Sequence, residues 1–180
     1  MDPELACLGR AIRNKVDKSV VTHHEAGHAV VTYLSPTIRL VDVSIDADGK
    51  GLGRCNTNLC LLETCVTSSE LTPSQRADFK ESIKSLLGGQ VAEMRFLGPE
   101  YKVHCDMGWG DDDRRIAVYL EYIAGTAGAS EQLRELRAET ERDIEVNWRF
   151  VEAVAGALLE KTRLSGAEVE NIYKELARSA

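Results

Sequence analysis

Residues 18–34 read KSVVTHHEAGHAVVTYL, and at their centre stand His24-Glu25-Ala26-Gly27-His28. Val20, Val21, Ala29, Val30, Val31 and Leu34 make the flanks apolar, and Ser35-Pro36 follows. Proline cannot continue a helix and restrains the residue before it, so a helix ending near Leu34 is predicted. Two histidines four apart on a helix leave from the same face, one turn apart. Their imidazoles can grip one zinc ion, and Glu25 between them can reach water bound to that metal. The pattern H-E-x-x-H therefore points to metal-dependent hydrolysis. Ala26, Gly27 and Ala29 are small enough for another element to pack closely around such a centre. His23 lies about 100° around the helix from His24, so it is expected to cap or pack.

Outward from this helix the pattern changes period. Residues 38–45, IRLVDVSI, alternate with β-branched side chains and predict a strand. Asp48-Gly49-Lys50-Gly51 reads as a turn, and Leu52 to about Leu62 as one or two further short strands. Thr72-Pro73-Ser74-Gln75 is a helix start, with a threonine N-cap, proline in the first turn and glutamine closing a capping box. That helix runs to Leu87, where Gly88-Gly89 breaks it or allows close packing, and continues to about Phe96. Residues 100–110 read as a loop. Helices are then predicted over 111–123 and 130–162, the second with an apolar stripe through Leu133, Leu136, Ile144, Trp148, Val151, Val154 and Leu158. Ser165-Gly166-Ala167-Glu168 is a second capping box, opening a last helix to about Arg178. The expected fold is mainly α with a small N-terminal β-sheet, an α+β arrangement. Residues 1–17 form a leader or short helix and 18–180 a single domain.

Bulk properties narrow the function. The 180 residues are enough to bury a core without disulfide or metal staples. A net charge of −7 argues against nucleic acid as a partner, which a basic face would serve. The apolar runs are too short to span a bilayer, so no membrane segment is expected. Cys7, Cys55, Cys60, Cys65 and Cys105 are odd in number and contain no C-x-x-C pair, which is a poor disulfide framework and a poor second zinc site. Reduced thiols fit better, with the cytoplasm or another reducing compartment as the expected location.

A catalytic zinc needs a third protein ligand and an open position. The extension H-E-x-x-H-x-x-G-x-x-H is absent, because Val31 and Leu34 stand at its glycine and last histidine. A distant ligand is required. Asp111, Asp112 and Asp113 at a helix start, Glu93 in the preceding helix and His104 in the loop are the candidates. Acidic residues at a helix N-terminus are also favoured by the helix dipole alone, and Glu93 can be an ordinary solvated helix charge.

Three blocks in order resemble the peptidase domain of FtsH-type ATP-dependent zinc metalloproteases. HEAGHA is matched by residues 24–29, LLGGRxAE by Leu86-Leu87-Gly88-Gly89-Gln90-Val91-Ala92-Glu93, and LLEKExLxGEE by residues 158–168, LLEKTRLSGAE. The resemblance covers about residues 18–175. It implies an FtsH peptidase-like helical domain, and a third ligand in a block like G-A-x-N-D-L-x-x-A-T. Setting Gly108 on the family glycine puts Asp112 on the ligand, with Asp113 next in line; Asp113 stands where the family has an apolar residue. The resemblance thus implies a zinc metalloendopeptidase with His24, His28 and Asp112 on Zn2+ and Glu25 as general base, acting on peptides or unfolded protein segments. It also implies a homo-oligomer, since such domains assemble as rings. No G-x-x-x-x-G-K-[ST] phosphate loop occurs here, because Gly49-Lys50 lacks both the upstream glycine and the hydroxyl. The expectation is therefore either an excised peptidase domain or a stand-alone relative, with the looser blocks favouring a stand-alone relative that works without the ATP-driven module. Two other readings are a zinc-binding pseudoprotease acting as an adaptor, which the intact Glu25 argues against, and a zinc hydrolase of a non-peptide bond.

Overall fold

The computed structural model describes residues 18–45, 53–59, 71–98 and 110–179. The expected leader, the turn at 48–51, the loop with His104, and Cys7, Cys60, Cys65 and Cys105 lie outside these residues. Helix α1 spans Lys18–Leu34 and ends as predicted: the Ser35 hydroxyl accepts from the N–H groups of Thr37 and Ile38 and turns the chain toward the sheet. Strands β1 (Leu40–Ser44) and β2 (Arg54–Thr57) pair antiparallel, with an irregularity between Leu40 and Asp42. Helix α2 (Pro73–Leu97) opens on the predicted capping box, with both Thr72 and Gln75 hydrogen bonds formed. Helices α3 (Gly110–Val146) and α4 (Trp148–Lys161) follow, then β3 (Arg163–Ser165) and α5 (Gly166–Arg178).

The protein is mostly helical with a small three-stranded antiparallel sheet in the order β2-β1-β3. The sheet is not wholly N-terminal. Thr162 takes the left-handed conformation (φ 61°) after α4, and the chain then lays Arg163–Ser165 along the free side of β1.

The helix boundaries depart from expectation in two places. The predicted gap at 124–129 is bridged, with Gly125 alone non-helical (φ 62°, ψ 171°), so α3 is kinked there rather than ended. The predicted continuous helix 130–162 breaks instead at Asn147, whose side chain donates back to the Asp143 carbonyl at 2.8 Å. Asparagine readily satisfies backbone groups with its own amide, which makes a break without proline or glycine affordable.

Two apolar clusters build the interior. One joins α1, α4, α5 and the sheet through Ala29, Val30, Val43, Val151, Leu158 and Leu164. The other joins α2 to α3 through Phe79, Ile83, Leu87, Ile116, Tyr119 and Leu120. Helices α1 and α2 meet between them. A Cβ on Gly27 would lie 2.2 Å from the Gly88 carbonyl oxygen, and one on Gly88 would lie 2.7 Å from that of Gly27. The two backbones are thus in direct contact, and Gly88-Gly89 serves packing without interrupting α2. No helix among the described residues is long and apolar enough to cross a membrane.

Candidate metal centre

Backbone contact at Gly27 and Gly88 brings the motif face of α1 onto α2, and each histidine finds its outer partner there. His24 Nδ1 donates to Glu93 Oε2 at 2.8 Å, and His28 Nδ1 donates to the Ser85 carbonyl at 2.7 Å. A carbonyl can only accept, so the His28 proton sits on Nδ1. In the neutral rings both Nε2 lone pairs then face inward. These atoms are 3.0 Å apart, and Asp112 Oδ2 lies 3.3 Å from that of His28 and 3.6 Å from that of His24.

Three electron-pair donors converge on one spot. Atoms spaced this way share a point about 2 Å from each, the length of zinc bonds to imidazole nitrogen and carboxylate oxygen. That point needs a cation. Burial opposes charge on His24, but Asp112 and Glu93 outweigh it and push its pKa up to about 10. Burial would likewise raise Asp112, yet the two imidazoles beside it hold its carboxyl well below the usual carboxylate range. Both shifts favour positive charge at that point, where a bound metal would compete with a proton.

The floor of the site is shaped for such an occupant. A Cβ on Gly89 would lie 2.4 Å from His28 Nε2 and 2.9 Å from His24 Nε2. Any larger residue there would fill the space the three donors enclose. Glu25, buried beside them, has its carboxyl pushed up by burial, and its Oε2 is sealed from solvent without a hydrogen-bond partner among the described residues. Its other side is crowded by the backbone before β2, since a Cβ on Gly53 would lie 2.4 Å from Glu25 Oε1. Zinc fits this donor set: two imidazoles held by outer acceptors and one carboxylate.

The sequence-level candidates now separate. Asp112 reaches the histidines because Ile116, Tyr119 and Leu120 bury the same face of α3 against α2. Asp111 points to solvent and pairs with Arg114, while Asp113 accepts from Gln90. Glu93 stands behind His24 as its acceptor and is neither the third donor nor a solvated charge. His23 packs as expected, stacking on Phe96 at 3.8 Å and near Trp148, over which Arg95 lies. Sequence reading missed Ser85, Gly53 and the floor role of Gly89. Glu93 carried a usable signal: it stands four residues after Gly89, one turn along the face that meets α1.

The chain is similar to FtsH-type zinc metalloproteases. It is 27% identical over 183 residues to an ATP-dependent zinc metalloprotease FtsH 1 of Alkaliphilus metalliredigens, covering 88% of this chain and 30% of that protein. It is 31% identical over 152 residues to the mouse mitochondrial inner membrane m-AAA protease component AFG3L1, covering 82% of this chain and 17% of that one. A Sulfurovum FtsH matches at 32% over 113 residues, 62% of this chain and 15% of the relative. The chain thus spans less than a third of the length of these relatives. No family model matches the sequence.

Proposed function

We propose that this protein is a zinc metalloendopeptidase in which His24, His28 and Asp112 hold the metal and Glu25 is the general base. The observation that carries the reading is the convergence of three inward-facing donor atoms over a glycine floor, beside a buried carboxylate with an oxygen that has no partner among the described residues. When bound, zinc lowers the pKa of coordinated water toward neutrality and polarises a carbonyl.

The protein's own part is to hold and move a proton. Glu93 and the Ser85 carbonyl fix both Nδ1–H groups, which keeps both Nε2 atoms inward. Glu25 takes the proton of the attacking water and returns it to the leaving amine as the carbon–nitrogen bond breaks. Burial raises its affinity for that proton, which suits a group that must both accept and release it.

The substrate reading rests on β2. It is an outer strand among the described residues, and the backbone leading into it presses on Glu25. An extended peptide adding to that edge would run its backbone past the carboxylate, which favours peptides and unfolded segments over folded proteins. None of these steps by the chain's own residues uses a nucleotide.

Two measurements test this. Protein purified without chelator should carry stoichiometric zinc by mass spectrometry; inability to take up zinc would overturn the hydrolase reading. Unfolded casein should be cleaved by the wild type, and Glu25→Gln should lose about 10²–10⁴-fold in rate while keeping zinc. Equal residual cleavage by both proteins would assign it to a contaminant and favour a zinc-binding adaptor.

A further inference from the structure

Gln90 follows the glycine floor directly and is 1% exposed. Its amide is used on both sides: Nε2 donates to Asp113 Oδ1 at 2.6 Å, and Oε1 accepts from Arg137 Nη2 at 3.1 Å. Both partners belong to α3, but they stand on opposite sides of the kink at Gly125. One side chain of α2 therefore grips the first turn of α3 and the segment beyond its kink together.

This grip bears on the third donor. Ile116, Tyr119 and Leu120 bury one face of α3, the face that carries Asp112. Apolar contacts resist separation of two helices but resist rotation about the axis only weakly. Asp113 is the next residue, about 100° around the axis. A directional hydrogen bond to it, with a charged acceptor, opposes the rotation that the apolar face permits. On the zinc-centre reading, we propose that Gln90 is a positioning residue: by joining Asp113 to Arg137 it sets the rotation of the first turn of α3, and so places Asp112 on the metal.

The chemistry of the three residues makes this testable without losing the fold. Asp113 lies at the surface and Arg137 is half-buried, so water replaces the amide for both when Gln90 is changed. Gln90→Met fills a similar volume and leaves no buried polar group unpaired. The experiment measures zinc dissociation constants by competition with a chromogenic chelator, beside thermal melts, on the full chain. Gln90→Met is expected to melt within a few degrees of wild type yet bind zinc about 10-fold more weakly, the low end of the loss that follows when a metal ligand loses its own outer partner, because Gln90 holds Asp112 only through its neighbour Asp113. Asp113→Ala should weaken zinc similarly. Asp113→Asn keeps an acceptor oxygen for Gln90 and should retain most of the affinity. Thr140→Val is the control: that hydroxyl is buried in the same half of α3 as Arg137 but donates only within its own helix, to the Leu136 carbonyl. It should cost stability and leave zinc affinity unchanged.

Wild-type affinity in Gln90→Met would overturn the positioning role while leaving the zinc centre standing. Equal losses in Asp113→Asn and Asp113→Ala would also overturn it, since the carboxylate's charge would then be the cause. Wild-type protein that takes up no zinc would overturn the metal-centre reading and this inference with it.

Discussion

The two halves of the candidate centre are built in opposite ways. His24, His28 and Glu25 come from one turn of α1, and that turn lies backbone to backbone on α2 at Gly27 and Gly88. Asp112 comes from a helix start that follows residues outside those described, and it is docked on α2 through an apolar face and the Gln90–Asp113 hydrogen bond. The first half is rigid because neither backbone can move without the other. The second is docked, so its position is adjustable by single substitutions.

The largest effect is expected at the floor. Gly89→Ala places a methyl group against both Nε2 atoms, and zinc uptake and cleavage should vanish together. Stoichiometric zinc in that variant, measured by mass spectrometry, would mean that α1 and α2 yield and that the first half is not rigid. Next comes the backbone contact itself. Gly27→Ala forces overlap with a carbonyl oxygen that cannot swing aside, and overpacking of this kind costs roughly 1–3 kcal/mol or more. Asp112→Ala should lose zinc, and with metal-free proteins compared it should change the urea-unfolding midpoint little, as expected for a docked group; equal destabilisation by both metal-free variants would erase the distinction between the halves.

Glu93→Gln tests the rigid half from within. The amide can still accept from His24 Nδ1 but no longer carries charge, so zinc affinity should fall about 10- to 100-fold with the fold unchanged. An unaltered dissociation constant would show that Glu93 only packs. The smallest effect lies far from the centre, at the start of α5. Its contact with Lys161 and the Ser165 hydrogen bonds hold the exposed Glu168 carboxyl down to about 2, below its ordinary value of 4.5. A depressed folded pKa adds stability that is complete above about pH 4.5 and is lost as pH falls toward 2. Hydrogen exchange of the first turn of α5 should quicken over that window, and Glu168→Ala should flatten the dependence.

How much was legible follows from the range of the forces. The helix over residues 18–34, its stop at Pro36 and both capping boxes were readable, because each is an agreement among residues within one or two turns. The mainly α fold with a small sheet was readable for the same reason. The break at Asn147 was not, since the apolar stripe from Leu136 to Leu158 runs through it without a proline or glycine. The third strand was not either: Arg163–Ser165 is only three residues long and becomes a strand by lying along β1.

What the sequence by itself determined is the pair of imidazoles and the carboxylate between them, since helical spacing alone dictates which side chains share a face. It narrowed the third donor to a few acidic residues and one histidine, and the family resemblance favoured Asp112. Tertiary structure alone brought Asp112 to the histidines, turned Glu93 into the acceptor behind His24, and made Gly89 a floor. Those outcomes depend on how α1 and α3 each settle on α2. That settling is decided by the summed packing of residues far apart in the chain, Gly27 on Gly88 and Ile116 with Leu120 on the α2 surface.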